Sequence, residues 1–520
     1  MSAHARFCRD LYLVAARVFC RRTSLSMPLR CLFGTLLLTS TVVQAAPFAY
    51  LADRVLNTVD VVDVAGYTTL ATAPLGAERA PARQVIANEA TGKIFIAERT
   101  GILIIDATTN TITGEIPIAV TPPLSTYDNN VGVKALAVAP DGSRVYALST
   151  GKLTVIDPAK KIILATIPVN PSAISLAIDA DGETVFIAQT GLLADNVTVS
   201  GPAGVTVFDT LILEIDRVIP TPGFLPYALA IHPANERLYL VGSKTGPGVD
   251  YSNNRDYLVL DSVTDTLKRF SVAKPADYAN VFSFSSLAFN ADGSRLYLGT
   301  NSLSSGAVPL LEVNASNGVI TRVLKLPSSF ADQHSTLSLA TSFADNKFVL
   351  AAFLSEHLHH YPSEPPRRVV FMDGLTGNVL KNMVFTSPSP STTATITGDF
   401  LDRIPAPGPV PTTTTLDSSP KPPLRRHLPV SFYVDVTGDN PTGTILFKFV
   451  AQDDRRKLVR RIPMPLSAGK ATLTLPACND PWQDHALRKI VCSAQFSVVA
   501  LYRGDTAHRA SKSAVLEETR

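Results

Sequence analysis

The sequence predicts an all-β protein, a seven-bladed β-propeller followed by a smaller β-domain. Three observations carry this prediction: a strand-like motif recurs along the chain, a second strand precedes each copy in step, and a Pro-rich stretch separates a further β-patterned region. Of the 520 residues, 46% are hydrophobic and 18% are charged, which excludes a disordered chain. The length exceeds that of one ordinary domain.

Residues 1–45 have the order of a secretory signal peptide. A basic stretch ends at Arg30, a run of about 13 apolar residues follows, and small residues precede Ala46. We expect cleavage after Ala45, with Met27 as an alternative start. A membrane anchor needs about 20 apolar residues, so no retained membrane span is expected. The mature chain is predicted to be extracytoplasmic in a bacterium, in the periplasm, at the cell surface or secreted.

The basic charge of the chain belongs to this leader. The chain has 47 Lys and Arg against 44 Asp and Glu, but six Arg and one Asp lie in residues 1–46, which leaves −2 for the rest. A slightly acidic chain does not favour a nucleic-acid partner. The charged run at 453–461 is interpreted as a solvated hairpin.

The repeat is about fifty residues long and contains four strands. Its most regular part is a short β-rich segment that ends in an acidic residue or Asn and occurs seven times. The copies end at Asp63, Asp106, Asp157, Asp209, Asp261, Asn314 and Asp373. Tight turns such as Pro140-Asp141-Gly142 join the first and second strands of several repeats. Four-stranded units at this period indicate a β-propeller.

The propeller is expected to span residues 46–402 and to close through its chain ends. The chain opens at Phe48 with a second strand, so one first strand is missing at the start. We assign the missing strand to Thr393–Thr397, after the last repeat. The last blade would then combine this strand with residues 48–73, which removes open sheet edges.

The repeats resemble the YVTN-type surface-layer propeller repeats of extracytoplasmic proteins. The residues that carry the resemblance are Phe48–Asp53 with Thr58–Asp63, and Pro140–Tyr146 with Leu153–Asp157. The resemblance implies the propeller fold but not a function, because such repeats occur in proteins of many roles. Most repeats here depart from the Gly-x-x-Pro that the family has before the first strand.

The C-terminal part is predicted as a Pro/Thr-rich linker, residues 403–423, and a β-domain, residues 424–520. Alternating prolines favour an extended linker. The β-domain resembles a bacterial Ig-like domain at Thr412–Leu416, Pro441–Thr444 and Tyr502–Asp505. The resemblance implies an Ig-like β-sandwich.

Cys478 and Cys492 are the cysteines that remain after the leader is removed. In an oxidising compartment we expect a disulfide between them, worth about 3 kcal/mol by the loop-entropy estimate. A pair of free buried thiols is the alternative. The family is short at this point, so the bridge is expected to staple an added loop rather than the sandwich core.

Two faces of the propeller follow from the strand order. The turn face carries the turns between first and second strands and between third and fourth strands; the loop face carries the other connections. The long insertions all fall on the loop face, where we expect binding. The candidate ligand-binding residues there are Asp250, Tyr251, Asn253, Arg255, His357, His359, His360 and Tyr361.

Two segments contain residue types that bind metals. His357, His359 and His360 with Glu364 could hold a transition metal, but no spacing is diagnostic, and a polar loop is the preferred interpretation. Asp179–Glu183 resembles the start of a calcium loop. It occupies a turn position shared by other repeats, so we interpret it as a turn. No cofactor is expected.

The leading hypothesis is an exported, non-enzymatic binding or cell-surface protein, a monomer that recognises a protein or glycan at the cell envelope. Catalytic residues are not identified. The alternative is a periplasmic metal-assisted hydrolase or lactonase-like enzyme that uses the His357–His360 loop. The sequence has no Gly-x-Ser-x-Gly, P-loop or His-Glu-x-x-His motif, which disfavours several enzyme classes. A third hypothesis is an envelope scaffold.

Overall fold

The structure of the protein is a computed structural model. The predicted signal peptide, residues 1–45, lies outside the residues that it describes. It describes residues 47–519 except 54–55, 76–82, 99, 120–131, 181, 193–199, 211, 234, 236, 246–254, 263, 276–281, 291, 303–309, 327–334, 343–348, 357–366, 386–395, 403–411, 439, 454–455 and 503–510.

Most of the chain forms antiparallel units of four strands. In chain order the strands are β1 (Phe48–Asp53), β2 (Thr58–Asp63), β3 (Thr68–Pro74), β4 (Gln84–Asn88), β5 (Lys93–Ala97), β6 (Gly101–Asp106), β7 (Thr111–Pro117), β8 (Val133–Val138), β9 (Val145–Ser149), β10 (Lys152–Asp157), β11 (Ile162–Pro168), β12 (Ala173–Ile178), β13 (Thr184–Gln189), β14 (Gly204–Asp209), β15 (Glu214–Pro220), β16 (Phe224–Ile231), β17 (Leu238–Lys244), β18 (Asp256–Asp261), β19 (Thr266–Ser271), β20 (Phe282–Phe289), β21 (Arg295–Ser302), β22 (Leu310–Asn314), β23 (Ile320–Leu324), β24 (Ser335–Ser342), β25 (Val349–Glu356), β26 (Arg367–Asp373), β27 (Val379–Phe385) and β28 (Ile396–Leu401). Successive groups of four from β4 to β27 pair within themselves, and one pairing, Asn301 with Thr336, joins the last two groups into a larger sheet.

The two ends of this region share one sheet. Strand β28 pairs with β1, with Leu401 opposite Phe48 and Ile396 opposite Asp53, and β2 and β3 complete the unit. The sequence assigned this strand to Thr393–Thr397; the described strand is Ile396–Leu401, which continues past the predicted end, and residues 393–395 lie outside the described residues. The described strand places Phe400 and Leu401 in the core.

The first strands of the units contact one another in a closed order. Strand β28 contacts β4, and contacts continue through β8, β12, β16, β20 and β24 back to β28. The hydrophobic core lies between neighbouring sheets; Tyr50 and Val61 of one sheet pack with Ile94 and Leu103 of the next. The described residues therefore form the β-propeller fold that the repeat predicts.

The acidic residue that ends each repeat motif has a structural role. The Oδ1 atom of Asp63 accepts a hydrogen bond from the N–H of Ala65 at 3.0 Å, and Oδ1 of Asn314 accepts one from Ser316 at 3.0 Å. This is the turn geometry that Asp and Asn side chains both stabilise. The turn itself uses one side-chain oxygen that Asp and Asn share, so Asn can replace Asp at this position.

Two features require glycine in the turn between the first and second strands of a unit: its positive φ angle and the close approach of a neighbouring turn. Gly142, Gly182 and Gly293 have φ values of +71°, +75° and +74°. A Cβ atom on Gly142 would lie 2.3 Å from Thr91 Cγ2, and one on Gly293 would lie 2.2 Å from His232 Cε1. Each of these two glycines thus lets its turn pack directly on the corresponding turn of the preceding unit.

Strands β29 to β36 form the C-terminal region, in which two sheets share one core. One sheet contains β29 (Thr414–Ser419), β30 (Val430–Val436) and β33 (Lys470–Leu475); the other contains β31 (Thr444–Asp453), β32 (Arg456–Pro465), β34 (Gln495–Tyr502), β35 (Ser511–Lys512) and β36 (Leu516–Thr519). Phe432 of the first sheet packs with Phe447, Phe449 and Phe496 of the second. Burial of these rings fixes the two sheets against each other.

Strand β29 falls inside the segment predicted as a linker, residues 403–423. Thr414 pairs with Val436 on β30, and the alternating Thr414, Leu416 and Ser418 face inward, where Thr414 and Ser418 are buried. The prediction of an extended linker across residues 414–419 is therefore wrong. Thr is common in half-buried strands. The Pro-rich composition of the wider segment nevertheless favoured the interpretation as a linker.

The segment between β33 and β34 contains a short helix, α1 (His485–Val491), and a disulfide. The Asp484 side chain caps the helix by accepting from Leu487 N–H at 2.9 Å. Cys478 and Cys492 are bonded, with their Cα atoms 5.8 Å apart. No helix among the described residues has the length and hydropathy to cross a membrane.

This segment is part of the core of the C-terminal region. Trp482, Leu487, Ile490 and Val491 belong to the same buried cluster as Phe447. The expectation that the disulfide staples an added loop apart from the core is therefore wrong. The apolar positions of the helix lie three and four residues apart and so share one face, which the sheets cover.

Candidate functional site

The predicted ligand-binding residues on the loop face cannot be brought together from the described residues. Asp250, Tyr251, Asn253, His357, His359, His360, Tyr361 and Glu364 lie outside the described residues. Arg255 is described; it immediately precedes β18, and its carbonyl accepts the N–H of Val272 at 2.9 Å. No group of three metal-binding side chains occurs among the residues that the structure describes. The loop-face site thus stays a prediction.

The segment that resembles a calcium loop has other contacts. Oδ1 of Asp179 accepts the N–H groups of Glu183 and Thr184 at 2.9 and 3.0 Å, which closes the turn between β12 and β13. The Glu183 carboxylate forms an ion pair with Lys448 of the C-terminal region. Asp181 lies outside the described residues. The carboxylates of Asp179 and Glu183 therefore hold the turn and join the two parts of the chain.

The Glu183–Lys448 ion pair, which we call the dock, is almost fully enclosed. The two side chains are 4% and 6% exposed. Lys448 lies on the face of β31 opposite the core residues Phe447 and Phe449, beside the buried cluster of Leu446, Val499 and Leu501. This outer sheet face is thus buried although it points away from the core of the C-terminal region. Sequence reasoning did not identify the dock.

A cleft of about 710 Å³ lies on the turn face, between the sheet of β16 to β19 and the sheet of β20 to β23. We call it the turn-face cleft. It is lined by His232, Asn235, Arg237, Tyr239, Val259, Asp261, Thr266, Leu267, Lys268, Phe270, Asp292, Gly293, Ser294, Asn314, Ala315 and Ser316. Two turns from each sheet supply most of these residues, and β19 supplies one wall. The volume is typical of a small-molecule site.

Aromatic rings form the floor of the cleft and extend into the core. His232 packs on Phe289 and Tyr239, with ring centroids 5.1 and 5.8 Å apart. Tyr239 stacks on Tyr257 at 5.8 Å, and Tyr257 stacks on Phe270 at 5.1 Å. This continuous stack gives the cleft a floor that cannot collapse without unpacking the core.

Hydrogen bonds tie this stack to the neighbouring sheet. The hydroxyl groups of Tyr239 and Tyr257 donate to the Ala315 carbonyl at 3.2 and 3.3 Å. Burial raises the pKa of both hydroxyls, so they remain donors at neutral pH. The two walls of the cleft are therefore held in a fixed relation by buried hydrogen bonds.

His232 is buried and neutral at the base of the cleft. Its Nδ1 accepts the N–H of Asn235 at 3.2 Å. Burial lowers the pKa of His232 below its usual value and Arg237 acts in the same direction, while a backbone hydrogen bond with Gly293 opposes them. Protonation would place a hydrogen on the nitrogen that accepts from Asn235, so the turn and the neutral ring stabilise each other.

The rim of the cleft carries balanced charge. Arg237 and Asp261 form an ion pair of 3.5 Å with side chains 53% and 26% exposed. The side chain and N–H of Ser294 hold the pKa of Asp292 below its usual range. The Lys268 ammonium lies over the Phe270 ring, 4.5 Å from its centroid.

The sequence contained one signal for this cleft that the repeat analysis did not use. Where two other repeats have Asp-Gly-Ser, the turn after β16 reads His232-Pro-Ala-Asn-Glu-Arg237. This difference from the other repeats places the imidazole of His232 and the guanidinium of Arg237 on the turn face.

A second acid links two adjacent units. Asp399 on β28 is half-buried and accepts the N–H groups of Ala87 and Phe400, each at 2.9 Å. Burial raises its pKa to about 7; the two N–H donors lower it, and Asp402 and Glu89 raise it further. Because the Ala87 bond crosses from β28 to β4, Asp399 holds adjacent first strands together rather than forming a binding site.

No protein-family model and no curated protein matches the chain. Among solved structures, hydrazine synthase of Kuenenia stuttgartiensis has a TM-score of 0.42 and 14% identity over 60% of this chain and 97% of that one. Dihydro-heme d1 dehydrogenase NirN, solved in complex with DHE, has a TM-score of 0.40 and 12% identity over 66% and 74%. Similarity of this degree bears on neither function nor ligand, and the propeller fold is assigned from the sheet topology.

Proposed function

We propose that the protein is an exported recognition protein that binds its ligand without catalysis, with the propeller as the binding platform. The turn-face cleft is the observation that carries this proposal. Two of its ionisable groups serve the structure: Asp261 pairs with Arg237 and accepts the N–H of Thr264, and His232 accepts from Asn235. A cleft with fixed walls and engaged acids and bases favours binding over proton transfer.

The proposal includes a seven-bladed propeller followed by an Ig-like sandwich. The closed order of contacts among the first strands supports seven blades, and the two sheets with one core support a sandwich. The sandwich is docked through Lys448 and Glu183 rather than acting as a free spacer. We propose that this unit is a monomer.

We further propose that the protein acts at the cell envelope or outside the cell. The order of charge, apolar and small residues in 1–45 supports export. The Cys478–Cys492 bond supports an oxidising compartment. A protein or glycan of the envelope is the expected partner.

A binding screen on the chain of residues 47–520 tests the function. We expect saturable binding on a glycan array or in an envelope pull-down, with the bound glycan released unchanged. The full span is used because the dock joins the C-terminal region to the propeller. Absence of any saturable ligand, or turnover of the bound one, would contradict a binding protein.

The enzyme hypothesis has its own test. Metal analysis of the same chain is compared with that of His357→Ala and His359→Ala variants. A stoichiometric metal that both variants lose, together with hydrolysis of a lactone, would support the metal-assisted enzyme and overturn the proposed function.

A further inference from the structure

We propose that the turn-face cleft binds a short oligosaccharide that bears carboxylate groups, an inference that rests on the proposed recognition function. The loop face was the predicted binding surface, and the cleft lies on the opposite face. The ligand class follows from the cations of the rim and from the hydroxyl and amide groups of the walls.

The rim offers cations to a carboxylate. Lys268 is exposed, and its described partner is the Phe270 ring; among the described carboxylates none lies within ion-pair distance of its ammonium. Arg237 is more than half exposed and gives only part of its guanidinium to Asp261. An arriving carboxylate would therefore find one ammonium and part of one guanidinium, whose hydrogen bonds are charge-assisted.

The walls offer many short polar side chains. Asn235, Thr266, Ser294, Asn314 and Ser316 all line the cleft. Hydroxyl and amide groups of this kind both donate and accept, which suits the dense hydroxyls of a sugar. Some of these groups also hold the turns, as where the Ser316 hydroxyl donates to Asn314 Oδ1 at 2.6 Å. A ligand rich in hydroxyls can bond to more of their donors and acceptors than a compact inorganic anion can.

The carboxylates of the cleft limit how much negative charge the ligand can carry. Asp261 and Asp292 balance Arg237 and Lys268, so the cleft as a whole is neutral when His232 is neutral. A sulfated or phosphorylated polymer would meet both acids at close range and be repelled. A sugar with single, spaced carboxylates avoids this repulsion and can donate its hydroxyls to Asp292.

The geometry disfavours a peptide in the extended form. Extended peptides are recognised by adding a strand to an open sheet edge. Here β19 is the outermost strand of its sheet, and Thr266, Leu267, Lys268 and Phe270 of this strand line the cleft. Turns supply the other walls with short polar side chains, which suit a sugar better than a peptide strand; a peptide paired with β19 is the competing occupant that tri-glutamate tests.

Calorimetric titration of the chain of residues 47–520 tests this inference with matched probes. The probes are trigalacturonic acid, its fully methyl-esterified form and tri-glutamate. The variants are Lys268→Met, which removes the ammonium and keeps the apolar stem, and Lys381→Met. Lys381 is a suitable control because it is also exposed on the outermost strand of its unit, β27.

We expect trigalacturonic acid to bind and its methyl ester to bind at least about tenfold more weakly, as loss of a charge-assisted hydrogen bond predicts. Lys268→Met should weaken binding of the acid by a similar factor, and Lys381→Met should change it by less than about twofold. Addition of salt should weaken binding of trigalacturonic acid and leave binding of its methyl ester unchanged.

Four results would overturn the inference: no binding of trigalacturonic acid, equal binding of the ester, tighter binding of tri-glutamate, or unchanged affinity in Lys268→Met. None of these results overturns the proposed recognition function, which has its own test. A ligand found on the glycan array or in the pull-down that binds the parent protein and Lys268→Met equally would establish recognition at another surface. If that screen also finds no ligand, both the recognition function and the oligosaccharide inference are contradicted.

Discussion

Two turns on the turn face that occupy equivalent places in the repeat are used in opposite ways. At the dock, Glu183 follows the turn glycine and is enclosed with Lys448, so that the side chains are 4% and 6% exposed. At the turn-face cleft, Arg237 ends the corresponding turn and stays 53% exposed beside Asp261. One turn joins two parts of the chain, and the other leaves an open space between two sheets.

The difference shows which residues of the repeat are free to vary. The Asp and Asn oxygens that close the turns and the turn glycines cannot vary freely, because backbone geometry and the packing of neighbouring turns require them. The side chains next to them face outward and decide whether a turn is covered or open. Function on this face is therefore carried by residues that depart from the repeat.

The largest expected effect is at the dock. Glu183→Ser installs the residue that follows the turn glycine at Ser143 and Ser294, so the turn keeps its shape while Lys448 loses this carboxylate. Removing one member of a buried ion pair costs about 3 kcal/mol or more. We expect urea unfolding followed by Trp482 fluorescence, which reports on the C-terminal region alone, to shift to lower urea.

Far-UV circular dichroism follows the whole chain in the same experiment. The two transitions should coincide in the parent protein and separate in Glu183→Ser. The double variant Glu183→Gln with Lys448→Met should recover part of the loss, because no charge is then left buried. Coincident and unshifted transitions in Glu183→Ser would show that the dock holds nothing together.

A pH-dependent effect is expected at the base of the cleft. The folded-state pKa of His232 is lowered, so its contribution to stability is present above the unfolded value of 6.5 and is lost as the pH falls through the folded value. His232→Asn places at this position the residue found at Asn290, whose side chain accepts from the turn N–H of Arg295 at 2.9 Å.

We expect the midpoint of urea unfolding to fall more steeply below pH 6.5 in the parent protein than in His232→Asn. The charges of Arg237 and Asp292 act on the ring in opposite directions, Arg237 lowering and Asp292 raising the pKa of His232. Identical pH profiles for the two proteins would place the acid sensitivity elsewhere.

The smallest expected effect is at the rim of the cleft. Arg237→Gln removes a partly exposed ion pair with Asp261, and such pairs contribute about 0.5 kcal/mol. The free energy of unfolding should therefore change little, measured by the same denaturation. A loss as large as that of Glu183→Ser would mean that the rim, like the dock, is a structural contact.

The fold could be predicted because the repeat constrains the backbone. The acidic residue at each motif end and the turn glycines have one physical role, which recurs about every fifty residues. Strand β29 and helix α1 could not be predicted in the same way, since neither belongs to the repeat. Thr414 and Trp482 are held by contacts with strands distant in sequence, which local composition does not report.

The candidate site could be predicted less well for the same reason. The repeat analysis selected long insertions, whereas the turn-face cleft arises from short turns of two different sheets. His232, Lys268 and Asn314 are far apart in sequence and meet only because adjacent sheets pack side by side. Likewise, Lys448 lies 265 residues from Glu183, so neither residue alone indicated an ion pair.

Hydrogen–deuterium exchange with and without trigalacturonic acid tests most directly whether the turn face is the binding surface. We predict slower exchange on binding in segments 232–237, 266–270, 292–294 and 314–316, which line the cleft. Protection confined to the loop-face segments 246–254 and 357–366, with no change in the cleft, would contradict this assignment.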